Sequence, residues 1–121
     1  MRKLLILALF LAQASFAEDG QALYEKKCST CHQKEGTGIS HAFPPLAGSP
    51  VLLSDDETVL SVVFNGRGGM PSWLMFLNDQ QVADILTYAR SAWGNSAPPI
   101  EVASVKEHRP PMPVGMFPLG N

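Results

Sequence analysis

Apolar and polar positions along this 121-residue chain mark out a short leader, three helices and long irregular connections. Residues Leu4 to Ala12 form an unbroken apolar run behind Met1-Arg2-Lys3, and small residues follow at Ser15 and Ala17. A basic start, a short apolar stretch and small residues before a break form the pattern of a secretory signal peptide, residues 1–17, cut after Ala17 or alternatively after Ala14. The run is too short to span a bilayer comfortably; an uncleaved membrane anchor is the alternative. The next segment, Asp19 to about Cys31, reads as a helix with Asp19 at its N-cap and with Leu23/Lys27 and Tyr24/Cys28 as neighbours four apart.

Residues 33–49 are rich in Gly, Pro, Ser and Thr and read as a long loop. Ser54-Asp55-Asp56-Glu57 has the form of a capping box, with Ser54 at the N-cap, and the apolar residues Val59, Leu60, Val62, Val63 and Phe64 follow until Asn65-Gly66. Gly66 to Trp73 holds too many glycines and a proline for regular structure. A second capping-box pattern at Asn78-Asp79-Gln80-Gln81 opens a helix whose apolar stripe is Val82, Ile85, Leu86 and Ala89, closed by Gly94-Asn95. Beyond Trp93 the composition shifts, and six of the ten prolines fall between 98 and 118. A short helical turn is expected over 100–107 and an extended or mobile tail from Pro110. The organisation is thus a signal peptide (1–17), one domain (18–97) and a Pro-rich C-terminal tail (98–121).

The chemistry is concentrated in Cys28-Ser29-Thr30-Cys31-His32. Two thiols three positions apart, with an imidazole directly after them, read as a covalent haem attachment site. One helical turn brings both sulfurs to one side, where each can add to a vinyl group of the same porphyrin, and His32 can then offer Nε2 to the iron. A redox dithiol with an incidental histidine is the competing reading, but it wants a βαβ context that this chain lacks. There is a single such motif, so one haem is expected. Both cysteines lie within it, which leaves no disulfide framework.

Without residues 1–17, seven basic side chains face eleven acidic ones, a formal charge of −4. That balance argues against nucleic acid as a partner and offers no basic surface to anionic lipid. A domain this small buries a limited apolar core, and a large flat cofactor would supply part of the missing interior.

The sixth iron position needs a second residue, and a thioether there raises the reduction potential relative to a second imidazole. The candidates are Met70, Met75, Met112, Met116, His41 and His108. Met70 is favoured: it sits in a Gly-rich loop between two helices, and Pro71 fixes the backbone after it. Met75 is its rival, although Trp73-Leu74-Met75-Phe76-Leu77 reads more like an apolar core segment.

With these residues the chain resembles a class I c-type cytochrome over 19–95. The resemblance implies an all-α fold, a small cytochrome c domain with three main helices and long loops wrapped around one covalent haem c. It implies that Cys28 and Cys31 carry the thioethers, that His32 is the proximal iron ligand and Met70 the distal one. Gly20, Tyr24 and Cys28 match the positions where the family crosses its first and last helices, with Ile85 and Tyr88 as partners. Phe43-Pro44-Pro45-Leu46-Ala47-Gly48 resembles the family's Pro-Leu stretch, which makes the Pro44 carbonyl the expected acceptor for His32 Nδ1–H, with Pro45 as the alternative. Arg67 and Trp73 would help position a propionate, a solvated loop cation being the other reading of Arg67. The block from Asn65 to Asn95 looks like cytochrome domains of bacterial membrane-bound dehydrogenases and oxidases. Those are often fused or multi-haem, whereas this sequence holds one haem motif.

The expected function is therefore that of a periplasmic electron carrier, not an enzyme, cycling Fe(III)/Fe(II) between a redox protein donor and acceptor. The alternative is an electron-accepting cytochrome subunit of a periplasmic or membrane-bound oxidoreductase. A gas sensor with an open iron and a thiol–disulfide oxidoreductase using Cys28 and Cys31 are the readings from other classes.

Overall fold

The computed structural model describes residues 19–115. The signal-peptide expectation for 1–17 and the candidate Met116 lie outside the described residues. Five helices follow one another: α1 (Gly20–Lys27), α2 (Ser29–His32), α3 (Asp56–Asn65), α4 (Asp79–Ser91) and α5 (Val102–His108). No strand forms among the described residues, only isolated bridges at Ile39/Phe43 and Arg67/Met70. The fold is all-α, as the sequence pattern indicates.

The N-terminal helix is not continuous to Cys31. It breaks at Cys28 (φ −121°, ψ −31°), and α2 restarts as a single turn. The Ser29 hydroxyl donates to the Glu25 carbonyl at 2.6 Å, a back-bond that bends helices, and Gln33 at φ 66° then ends α2. The kink gives the thiol and imidazole turn a direction of its own.

α1 crosses α4 at Gly20. A Cβ there would stand 2.2 Å from the Asp84 carbonyl oxygen and 3.1 Å from Tyr88 Cβ, so only glycine permits this approach. Tyr24 packs on Tyr88 with ring centroids 5.6 Å apart. The stripe Val82, Ile85, Leu86 and Ala89 is buried on α4, facing Leu23, Tyr24, Val59, Leu60 and Phe64. The α4 cap forms as the pattern indicates: the Gln81 amide donates to Asn78 Oδ1 at 2.8 Å, and the Asn78 amide donates to Gln81 Oε1 at 3.0 Å.

The α3 cap differs from the expected one. Asp55, not Ser54, is the N-cap, its carboxylate accepting from the Thr58 amide at 2.9 Å and the Thr58 hydroxyl at 3.0 Å. The Ser54 hydroxyl is already committed to the Val51 carbonyl at 2.6 Å in the preceding turn. The capping preferences of Ser and Asp are close, so the competing turn decides which residue serves.

Residues 95–109 fold back onto the helices. Ile100 and Val105 are buried in the same apolar cluster as α1, α3 and α4. The expected helical turn is α5, which lies against α3 and α4.

Candidate cofactor site

The helices and the loops between them enclose a cavity of about 720 Å³ with mainly apolar walls. Cys28, Cys31 and His32 line it, and so does Met70 from the loop after α3. Pro44, Arg67 and Trp73 are also on its wall, together with Leu52, Val59, Leu77, Ile85 and Leu86. Met75, Met112, His41 and His108 are absent from the lining. Among the described residues, His32 and Met70 are therefore the only histidine and the only methionine that the cavity brings together. Met75 is 42% exposed, the opposite of the core position its apolar neighbours suggested. His108 Nδ1 instead lies 2.8 Å from the Ser104 carbonyl, and His41 takes a positive φ of 62° in the 37–45 loop.

The His32 ring is buried and its Nδ1–H donates to the Pro44 carbonyl at 2.8 Å. With Nδ1 committed as a donor, Nε2 keeps the lone pair that a metal would take. The surrounding loop is fixed by main-chain bonds. The Gly38 amide donates to the His32 carbonyl at 2.9 Å, and the Leu46 and Ala47 amides both donate to the Gly36 carbonyl, at 2.8 and 3.0 Å. Gly36 sits at φ 65° beneath the Trp93 indole, and a Cβ there would be 2.5 Å from the ring. Trp93 Nε1–H donates to the Lys34 carbonyl at 3.0 Å, so the end of α4 clamps the loop just after the motif.

The Cys28 thiol is pushed up to about 11 by burial, with the neighbouring Cys31 adding to the shift. A dithiol built for exchange needs a thiol lowered towards or below neutrality, so this environment opposes the oxidoreductase reading. Burial, aided by Cys28, also raises Tyr24 well above the usual phenol range. Its hydroxyl donates to the Gln33 carbonyl at 2.7 Å and bridges α1 to the end of α2.

After α3, Met70 closes a tight turn: its amide donates to the Arg67 carbonyl at 2.9 Å and its carbonyl accepts from the Arg67 amide at 3.1 Å. Gly66 (φ 73°) lets the chain double back, since a Cβ there would lie 2.4 Å from the Met70 carbonyl oxygen. The turn is latched to the C-terminal carbonyls of α3. Gly66 N–H donates to Val62 at 2.9 Å, Trp73 N–H donates to Val63 at 2.9 Å, and the Ser72 hydroxyl donates to Phe64.

Two polar side chains escaped the sequence reading. Asn95, seen there only as a helix stop, is buried and accepts from the Gly48 amide at 2.8 Å while donating to the Leu46 and Ala89 carbonyls. Arg90 is 3% exposed and donates to the carbonyls of Leu52, Ser54 and Pro98 at 2.7–2.9 Å. Both hold the 46–54 loop that lines the cavity. Their partners in the 46–54 loop lie 36–49 residues away in sequence, so no local signal marks them; a charged residue within an apolar helical stripe is the one available hint.

Two thiols, an imidazole, a thioether from the loop after α3 and apolar walls line one cavity, a donor set that fits a flat porphyrin linked through two vinyl groups.

Comparison with known proteins agrees. Residues 15–88 match the family described as cytochrome C oxidase, cbb3-type, subunit III. The cytochrome c subunit of quinone alcohol dehydrogenase from Gluconobacter oxydans is 40% identical over 91 residues, covering 65% of this chain and 19% of that subunit. Cytochrome c-552 from Thermus thermophilus is 33% identical over 111 residues, covering 79% of this chain and 72% of that protein. Cytochrome c6 from the diatom Phaeodactylum tricornutum superposes with a TM-score of 0.48 at 18% identity, over 74% of this chain and 93% of that one. The chain thus spans about a fifth of the dehydrogenase subunit it matches but most of the length of cytochrome c-552. On the family match and the similarity to cytochrome c-552, this chain belongs to the cytochrome c family, and its cofactor is a covalently bound haem c.

Proposed function

We propose that this protein is an exported electron carrier in which Cys28 and Cys31 tether the haem and His32 and Met70 hold its iron. The bound haem supplies a one-electron Fe(III)/Fe(II) couple. The residues around it do the rest. The thioether links fix the cofactor against loss. The Pro44 carbonyl keeps the His32 ring in one tautomer and one orientation. The apolar wall from Val59, Leu77, Ile85 and Leu86 would exclude water, and Arg67 and Trp73, both on the cavity wall, would help position a propionate. Two protein ligands leave no open position for substrate, which accords with an electron carrier and not with an enzyme or a gas sensor. The observation that carries this reading is the convergence of His32 and Met70 on the cavity that Cys28 and Cys31 border.

The partners are proposed to be a redox protein donor and acceptor. The match to a subunit of quinone alcohol dehydrogenase favours a second possibility, that the domain accepts electrons within a dehydrogenase or oxidase complex. Export rests on the pattern of residues 1–17; among the described residues no helix is long and apolar enough to cross a membrane.

A haem-stained denaturing gel with an intact mass tests the proposal. One haem surviving denaturation, on a chain lacking its first 17 residues, is the expected result. A colourless chain, or pigment that acid–organic solvent extracts, contradicts it. Co-purification from native membranes or periplasm separates the two partner readings: a stable complex with a dehydrogenase or oxidase selects the second, and free monomer alone the first.

A further inference from the structure

Residues 98–109 have no place in the function proposed so far, yet they make polar bonds to α3, to the 74–77 segment and to α4. We propose that residues 98–109 form a strap that holds the distal wall of the cavity, with Arg109 as the positioning residue that fastens it. The proposal rests on the reading of Met70 as distal ligand and deepens it.

The strap is itself well anchored. The Pro98 carbonyl accepts from Arg90 Nε–H at 2.7 Å, and the Ile100 amide donates to Thr87 Oγ1 at 3.1 Å. Ile100 and Val105 are buried in the core, and the Ser104 hydroxyl donates to Asp56 Oδ2 at 2.5 Å. These contacts cross α4 and α3 in turn and deliver Arg109 to the segment that follows Met70.

There the guanidinium uses all three of its nitrogens. Nη1 donates to the Leu74 carbonyl at 2.8 Å, Nη2 to the Leu77 carbonyl at 2.8 Å, and Nε to Asp79 Oδ1 at 2.6 Å. Its central carbon lies 4.6 Å from the centroid of the Phe64 ring. One residue therefore joins the end of α3, the 74–77 segment and the first residue of α4.

That segment is the wall between the Met70 turn and α4. Trp73 and Leu77 line the cavity, whereas no residue of the strap does. The segment has little structure of its own, the Phe76 and Leu77 amides both turning back on the Trp73 carbonyl. Opening it would free the latch from Trp73 N–H to the Val63 carbonyl and slacken the Met70 turn. A lysine would keep a charge beside Asp79 but lacks the planar fork that reaches both carbonyls.

The test uses the full-length holoprotein and its Arg109→Gln and Arg109→Lys variants. Imidazole is titrated into the oxidised protein, followed by loss of the sulfur-to-iron charge-transfer band, and amide hydrogen exchange is measured in parallel. Loss of charged hydrogen bonds predicts imidazole binding tighter by about tenfold or more in Arg109→Gln, with a smaller gain in Arg109→Lys. Exchange is expected to quicken at Trp73, Phe76 and Leu77 and to stay at parental rates at Leu23 and Cys28 in and just after α1. Imidazole affinity within about twofold of the parent, with unchanged exchange at 73–77, overturns the strap. So does exchange that quickens equally in α1, which would mark a general structural role. If Arg109→Gln fails to accumulate as holoprotein, Arg109→Lys carries the same readouts, and parental behaviour in it overturns the proposal. Met70→Ala separates the two ideas: if that variant keeps the band, the ligand assignment fails, and the exchange pattern still decides whether Arg109 fastens the wall.

Discussion

On the His32 side of the cavity, the proposed ligand sits one residue from a thiol and twelve from the carbonyl that orients it, and main-chain bonds of Gly36 and Gly38 close the loop around it. On the Met70 side, a tight turn and its latch to the last carbonyls of α3 hold residues 66–73. The wall there is assembled from the end of α3, the 66–77 segment and, more than thirty residues later, Arg109. The bond that orients the His32 ring is thus local, while Trp93 and Asn95 clamp its loop from the end of α4. The Met70 side adds to its local turn a remote donor, Arg109, on the 74–77 segment. Damage to the first should lose the cofactor, whereas damage to the second should exchange a ligand and leave the cofactor attached.

The largest expected effect breaks that contrast at its strongest point. His32→Ala should abolish recovery of native holoprotein, read as haem-stained protein with a low-spin spectrum, while Met70→Ala should remain haem-stained and coloured. Equal loss of haem from both would erase the distinction between the two sides.

Arg90→Met comes next. It leaves the Leu52, Ser54 and Pro98 carbonyls without their buried donor and should cost about 3 kcal/mol, measured by urea unfolding of the holoprotein. A cost near zero would show that water replaces the guanidinium there.

Gly20→Ala sharpens the proximal case. Its Cβ would collide with the Asp84 carbonyl, backbone that cannot swing aside, so separating α1 from α4 should cost roughly 2 kcal/mol. The same unfolding experiment checks it, and a neutral result would mean that the crossing is looser than its geometry.

The smallest effect concerns Asp55. Hydrogen bonds from the Thr58 amide and hydroxyl lower its pKa. A depressed carboxylate stabilises the fold above its unfolded value, about 3.9, and that contribution disappears as pH falls through the lower folded value. Asp55→Asn should therefore show a shallower loss of stability than the parent over this acid range, measured as unfolding midpoints against pH. Parallel curves would contradict the assignment of Asp55 as the titrating cap.

The same contrast explains what could be read from the sequence. The thiol and imidazole motif, the α4 stripe and the Asn78 cap are local patterns, and they stand in the structure where the pattern indicates. The Gly20 crossing was legible through the family resemblance, and the close approach of Gly20 to Asp84 and Tyr88 bears it out. The α3 cap was misplaced by one residue because Ser54 and Asp55 are near-equal caps and a turn bond to Val51 settles the choice. The kink at Cys28 depends on the Ser29 hydroxyl, which the helical periodicity does not reveal. Arg90, Asn95 and Arg109 were not legible at all: each bonds carbonyls brought near only by the folded chain, and a carbonyl has no sequence signature.

The central claim is a haem iron held between His32 and Met70, and its most direct test is the sulfur-to-iron charge-transfer band of the oxidised holoprotein in Met70→Ala beside Met75→Ala. The account predicts that the band vanishes in the first variant and persists in the second. A band that survives Met70→Ala, or is lost in Met75→Ala alone, would contradict it.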